Sequence, residues 1–184
     1  MNIAHELVEA ATRWPDGAAL LFNEERVSFA QLAERAGQWQ EGLARLGVKA
    51  GERIAMLLPN GPDFAYGYYA TVALGAVFVP LDPVLKADEL AEILADLQPR
   101  LLVAANDSLP AAREALAIKG DALPVHTVVE VERTGQAAPF TPQALDALTT
   151  TAVVLYTSGT VGGPKGVALS HDALTHSMFA MIEV

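Results

Sequence analysis

Thr151-Ala152-Val153-Val154-Leu155-Tyr156 runs directly into Thr157-Ser158-Gly159-Thr160-Val161-Gly162-Gly163-Pro164-Lys165-Gly166. The first six residues are apolar, aromatic or β-branched, the composition of a buried strand. The next ten cannot continue it. Their glycines let the backbone turn so that consecutive N–H groups point inward as an anion nest. Thr157, Ser158 and Thr160 add hydroxyl donors, and Lys165 adds an ammonium group for phosphate oxygens. Open α/β sheets bind ligands at the carboxyl ends of their strands, where such a loop would sit. The stretch therefore predicts both a fold class and a phosphate site. The plainer alternative is a solvent loop rich in Gly and Thr, since short glycine motifs arise by chance.

Outward from this stretch, strands alternate with helices. A helix is expected over Ile3–Arg13, then a small hairpin from Ala18–Phe22 and Arg26–Ser28. Ser28 and Gln31 form a capping box that opens the best helix of the chain. Its apolar face carries Phe29, Leu32, Ala33, Ala36, Trp39, Leu43 and Leu46, and Gly47 ends it. Strands follow at Ile54–Leu58, Val77–Val79, Leu101–Ala104, Val125–Val131 and Val167–Leu169. Pro80–Pro83 reads as a turn. Helices are expected at residues 63–74, Ala87–Leu97, Leu109–Ala117 and Gln143–Leu148, with a loop over Thr134–Pro142 and a last helix capped by Ser170. The predicted fold class is α/β, a largely parallel sheet with helices on both faces. We expect residues 1–184 to form one α/β unit.

Composition sets bounds. Of 184 residues, 52% are hydrophobic and 18% charged, an apolar balance that suits buried parallel strands. The net charge of −10 disfavours general binding to nucleic acid or to anionic membranes. There is no cysteine, which removes disulfides, thiolate catalysis and cysteine metal sites. That is compatible with a cytoplasmic location, and Met1–Leu7 lacks the pattern of a secretory signal. The uncharged run Phe64–Leu81 reaches the lower edge of spanning length, but Gly67, Gly75, Pro80 and three tyrosines break it into a helix and a strand, so no membrane span is expected.

The loop is not a Walker A motif, which needs Gly before and Ser or Thr after its lysine; here Pro164 and Gly166 flank Lys165. It resembles the phosphate-binding signature of the adenylate-forming (AMP-binding) superfamily, Y-T-S-G-T-T-G-x-P-K-G. Tyr156 to Gly166 follow that pattern with one departure: Val161 stands where a Thr or Ser is usual, so one hydroxyl donor is missing. Ser170-His171 matches the family's Ser/Thr-His after the next strand. The likeness extends to Arg26–Phe29 with Gln31-Leu32, to Gly47–Ala55 with Leu58-Pro59-Asn60, and to Gly75–Pro83. Pro83–Leu90 is similar to fatty acyl-CoA ligases more than to amino-acid adenylation domains.

The resemblance implies an N-terminal portion of an ATP-dependent acyl-CoA synthetase. In that chemistry a carboxylate attacks the α-phosphate of ATP, and a thiol then displaces AMP from the acyl-adenylate. It implies Thr157, Ser158, Gly159, Thr160, Val161, Gly162 and Lys165 as the phosphate-binding residues, with ATP, Mg²⁺ and coenzyme A as cofactor and co-substrates. It implies no catalytic residue and no metal ligand within these residues, because the family's later motifs, most of its acyl pocket and its C-terminal domain with the catalytic lysine have no counterpart here. The isolated chain is accordingly expected to be inactive, and to self-associate through apolar surface that the remainder would cover. An amino-acid adenylation fragment, and a non-catalytic phosphate- or partner-binding module, stay open as alternatives.

Other candidates have plainer explanations. His5, His126 and His171 lack metal-ligand spacing, and His171 and His176 would face different ways on one helix. His171 is either close to the loop or simply a helix-start residue. Asp82, Asp88, Glu89 and Glu92 read as a turn and a solvated helix surface. Trp14 and Trp39 occupy core-like positions.

Overall fold

The computed structural model describes residues 1–120, 122–157 and 163–182, of which 119, 181 and 182 by backbone alone. Helix α1 (His5–Arg13) leads into an antiparallel hairpin of β1 (Ala18–Phe22) and β2 (Glu25–Ser28). Helix α2 (Phe29–Arg45) starts at Ser28, whose Oγ accepts the Gln31 N–H while Gln31 Oε1 accepts the Ser28 N–H. The capping box of the sequence is therefore present. The chain leaves α2 through Gly47 at φ 85°, a conformation that costs residues with a Cβ.

Strand β3 (Arg53–Leu57), α3 (Pro62–Ala73), β4 (Val77–Leu81), α4 (Ala87–Leu97), β5 (Leu101–Ala104), α5 (Leu109–Lys119), β6 (Val125–Thr127), α6 (Val128–Thr134), β7 (Thr151–Thr157), β8 (Lys165–Ser170) and α7 (His171–Ile182) complete the described chain. Six strands form one sheet in the order β6-β5-β3-β4-β7-β8. Every pairing is parallel except β7 with β8. This is the expected α/β class, with an antiparallel strand at one edge.

The period-2 alternation of the strands divides the core between the two faces. Ile54, Met56, Phe78, Leu101 and Val103 pack with Trp39 and Leu43 of α2 and Ala70 of α3. Ala55, Leu57, Val79, Leu81, Leu102 and Ala104 pack with Leu90 and Leu94 of α4 and Ala112 and Ala115 of α5. Trp39 is 0% exposed, as its place on the apolar face of α2 predicts. Trp14 is not a core residue. It is 56% exposed, with the Arg13 guanidinium 5.2 Å from its ring centre, because α1 has already ended and the chain turns toward the hairpin.

Three elements depart from the expected ones. Val125–Val131 is a strand only as far as Thr127; there the Thr127 Oγ1 accepts the Glu130 N–H and Glu130 Oε2 accepts the Thr127 N–H, which starts α6. Gln143–Leu148 is not a helix: the Gln143 N–H donates to Ala73 O at 2.8 Å, tying the segment across the end of α3. Pro80 and Leu81 extend β4 rather than turn. Pro80 pairs with Met56 of β3, and the pairing with β7 lies earlier, at Phe78 and Val153, so the missing N–H of proline costs no ladder bond there.

Candidate functional site

β7 runs parallel to β4, and its carboxyl end therefore emerges at the same sheet edge as that of β4. β8 returns alongside it. Their register pairs Leu155 with Val167, Tyr156 with Gly166 and Thr157 with Lys165. Thr157 and Lys165 are thus the last rung before the loop. Side chains directly opposite in an antiparallel pair share a face, with Cβ atoms roughly 5 Å apart. The side chains that carry a hydroxyl and an ammonium group thus leave the ladder from opposed positions on one face. Gly163 takes φ 82°, the left-handed region that favours glycine.

Of the predicted site residues, the structure places Thr157 and Lys165 and brings them together. Ser158, Gly159, Thr160, Val161 and Gly162 lie outside the described residues.

A cleft of about 320 Å³ opens beside the rung, lined among others by Leu81, Leu85, Ile93, Tyr156, Thr157, Gly163 and Pro164. Asp82, Glu89 and Glu92 stand at its rim, exposed as the sequence predicted. Two of them serve local backbone: Asp82 accepts the Val84 N–H at 3.0 Å and Glu89 the Lys86 N–H at 3.0 Å. Among the described residues no three His, Asp or Glu side chains converge on a position that could hold a metal.

Tyr156 is a site neighbour that does not figure among the phosphate-binding residues expected from the sequence. Its hydroxyl donates to Asp96 Oδ2 of α4 at 2.6 Å. Burial first, and then the hydrogen bond and charge of Asp96, hold its phenol above the usual tyrosine range. The signal available in the sequence was its place directly before Thr157 in a strand whose alternate residues must face one helix layer.

His171 does not sit near the loop. It follows Ser170, which pairs with Thr151 at the opposite end of the β7–β8 ladder, about 20 Å from the last rung at roughly 3.3 Å per residue. It is fully buried, and its Nδ1 accepts the Ile3 N–H at 3.2 Å. Burial pushes its pKa down to about 4. His176 lies 3.6 Å from Asp172 on the exposed side of α7.

The family model described as AMP-binding enzyme matches residues 7–184. Long-chain-fatty-acid–CoA ligase FadD13 of Mycobacterium tuberculosis is 33% identical over 182 residues, which cover 94% of this chain and 36% of that protein. Vanchrobactin synthetase VabF of Vibrio anguillarum is 32% identical over 174 residues, 94% of this chain and 6% of that protein. Among solved structures, a Mycobacterium tuberculosis fatty acyl CoA synthetase superposes with a TM-score of 0.83 at 28% identity, covering 98% of this chain and 37% of that one. The chain thus spans little more than a third of the length of these relatives at most.

Proposed function

The chain belongs to the AMP-binding enzyme family, and from that premise we propose that its β7–β8 hairpin grips the β- and γ-phosphates of ATP while a carboxylic acid is activated. One observation carries the reading: the Thr157–Lys165 rung at the carboxyl end of β7. It sets a hydroxyl-bearing residue and a lysine at the two roots of a turn whose remaining members, Ser158, Gly159, Thr160, Val161 and Gly162, supply mostly backbone N–H groups in this proposal. Anion recognition needs such converging donors, and a lysine acts there as a point charge.

The chemistry balances without an activated protein nucleophile. A carboxylate oxygen bonds to the α-phosphorus, the bond to the bridging oxygen breaks, and pyrophosphate leaves with the electron pair. A thiol then attacks the acyl carbon and AMP departs. Residues of this chain contribute by orienting the triphosphate and neutralising charge on the leaving pyrophosphate. The described residues fit an anion and offer no carboxylate cluster for Mg²⁺, so no step here is assigned to the ion.

For the acid we propose a fatty acyl substrate with coenzyme A as the thiol. Pro83–Leu90 and the likeness to FadD13 support it. The comparable identity to VabF supports a second reading, an amino-acid adenylation unit. In either case we propose that these 184 residues form the N-terminal part of the AMP-binding domain and act by holding phosphate, not by turning substrate over. Acyl-adenylate formed from ATP and a fatty acid by this chain alone would contradict that.

Calorimetric titration with pyrophosphate, ATP and AMP tests the site. Binding of pyrophosphate and ATP with little or none of AMP is expected. Equal affinity for all three would show that the polyphosphate tail is not what is gripped.

A further inference from the structure

We propose that Tyr156 is a positioning residue, a strut that fixes the stem of the phosphate-binding hairpin to helix α4 by lying over Gly166 and hydrogen-bonding Asp96. The proposal rests on the polyphosphate reading of that hairpin for its functional consequence, and on geometry alone for its structural one.

Tyr156 and Gly166 are direct partners in the β7–β8 ladder, one rung before Thr157 and Lys165. A Cβ built on Gly166 would stand 3.2 Å from Tyr156 Cζ, 3.4 Å from its hydroxyl oxygen and 3.0 Å from Val154 Cγ1. The ring therefore covers the bare α-carbon of Gly166, and a methyl group there would press on Tyr156 and Val154, which would have to shift by a few tenths of an ångström. An aromatic side chain laid across a cross-strand glycine restores the packing that the glycine lacks.

The far end of the ring is held as well. The 2.6 Å bond to Asp96 Oδ2 lies in the range of charge-assisted O–H···O⁻ contacts. Asp96 is carried by α4, which is anchored by Leu90, Leu94 and Leu97, each at most 4% exposed. The strut thus runs from a firmly packed helix to the stem of the loop.

Successive residues of a strand point to opposite faces. Tyr156 packs toward the α4 layer, so Thr157 and Lys165, one rung on, project from the other face. The ring of Tyr156 also lines the cleft beside that rung and walls it from the α4 side. Small displacements of a stem move every donor on the turn it carries, and errors near 1 Å in such positioning can cost about 100-fold in function.

The test uses the 184-residue chain with Tyr156→Phe, Asp96→Ala, the double variant, and Lys165→Ala as the control for phosphate binding. Amide hydrogen exchange and pyrophosphate titration are both read. Each single variant is expected to speed exchange at residues 155–157 and 165–167 by about tenfold, the size of one hydrogen bond to a charged group. Exchange in β3 should not change. Pyrophosphate affinity should fall about 5- to 10-fold in both, and the double variant should match the singles, because both remove the same bond. Unchanged exchange at the stem in both variants overturns the strut. Unchanged affinity in both, with affinity lost in Lys165→Ala, overturns its role in positioning while the phosphate reading stands. If the wild-type chain and Lys165→Ala bind pyrophosphate alike or not at all, the phosphate reading falls, and stem exchange still decides whether the strut exists.

Discussion

The Nδ1 of His171 accepts the backbone N–H of Ile3 at 3.2 Å, joining the start of α7 to a segment 168 positions away. An acceptor at Nδ1 requires the neutral ring with its proton on Nε2. Beside it, the Asn2 side chain donates to Val72 O at 2.8 Å, so the first residues of the described chain are pinned between α3 and α7. Burial depresses the His171 pKa from 6.5 to about 4. The unfolded chain therefore binds this proton first as pH falls. The contribution to stability is full above pH 6.5 and is lost on going down toward pH 4, on the order of 3 kcal/mol. His171→Asn keeps an acceptor but cannot titrate. Chemical denaturation from pH 7 to pH 4.5 should show a steeper loss for the wild type than for this variant; parallel curves would mean that His171 is not held neutral.

Ser28→Ala removes the Oγ that accepts the Gln31 N–H at the start of α2 and leaves the backbone N–H of residue 28 to donate to Gln31 Oε1. The loss should be about 1 kcal/mol, which is roughly 2–4 °C in Tm for a chain of this size. Thermal melting at neutral pH measures it. No change would indicate that packing of α2 alone fixes where the helix begins.

Gly42 lies in the last turn of α2, where alanine would ordinarily be the better helix former by up to about 1 kcal/mol. A Cβ there would overlap the carbonyl oxygen of Val131 in α6. Backbone cannot yield as a side-chain end can, and overpacking costs about 1–3 kcal/mol. Gly42→Ala should therefore destabilise, by about 1–2 kcal/mol net. A stabilised variant would mean that α6 can move away from α2.

Much of this molecule could be read from its residues. The Ser28–Gln31 capping box, the apolar stripe through Trp39 and Leu43, and the strand before Thr157 each rest on local pattern, and local pattern decided them. The misread parts were decided elsewhere. Val128–Val131 alternates like a strand, but the Thr127–Glu130 cap wins at β6, which is an edge strand and among the described residues pairs with β5 alone. Gln143–Leu148 has helical composition, yet its backbone is claimed by Ala73. Within the site, loop chemistry pointed to Thr157 and Lys165 as candidates. It did not show that Thr157 and Lys165 would be opposed, which depends on β8 returning antiparallel. Nor did it show that Tyr156 reaches α4. The placing of His171 at the far end follows from the same register.

The most direct test of the account is calorimetric titration of pyrophosphate into the wild-type chain and into Lys165→Ala, side by side at low salt. On the account of a gripped polyphosphate, the wild type binds saturably and the variant loses about tenfold or more, the size of a charge-assisted contact. Equal binding by the two proteins would contradict it.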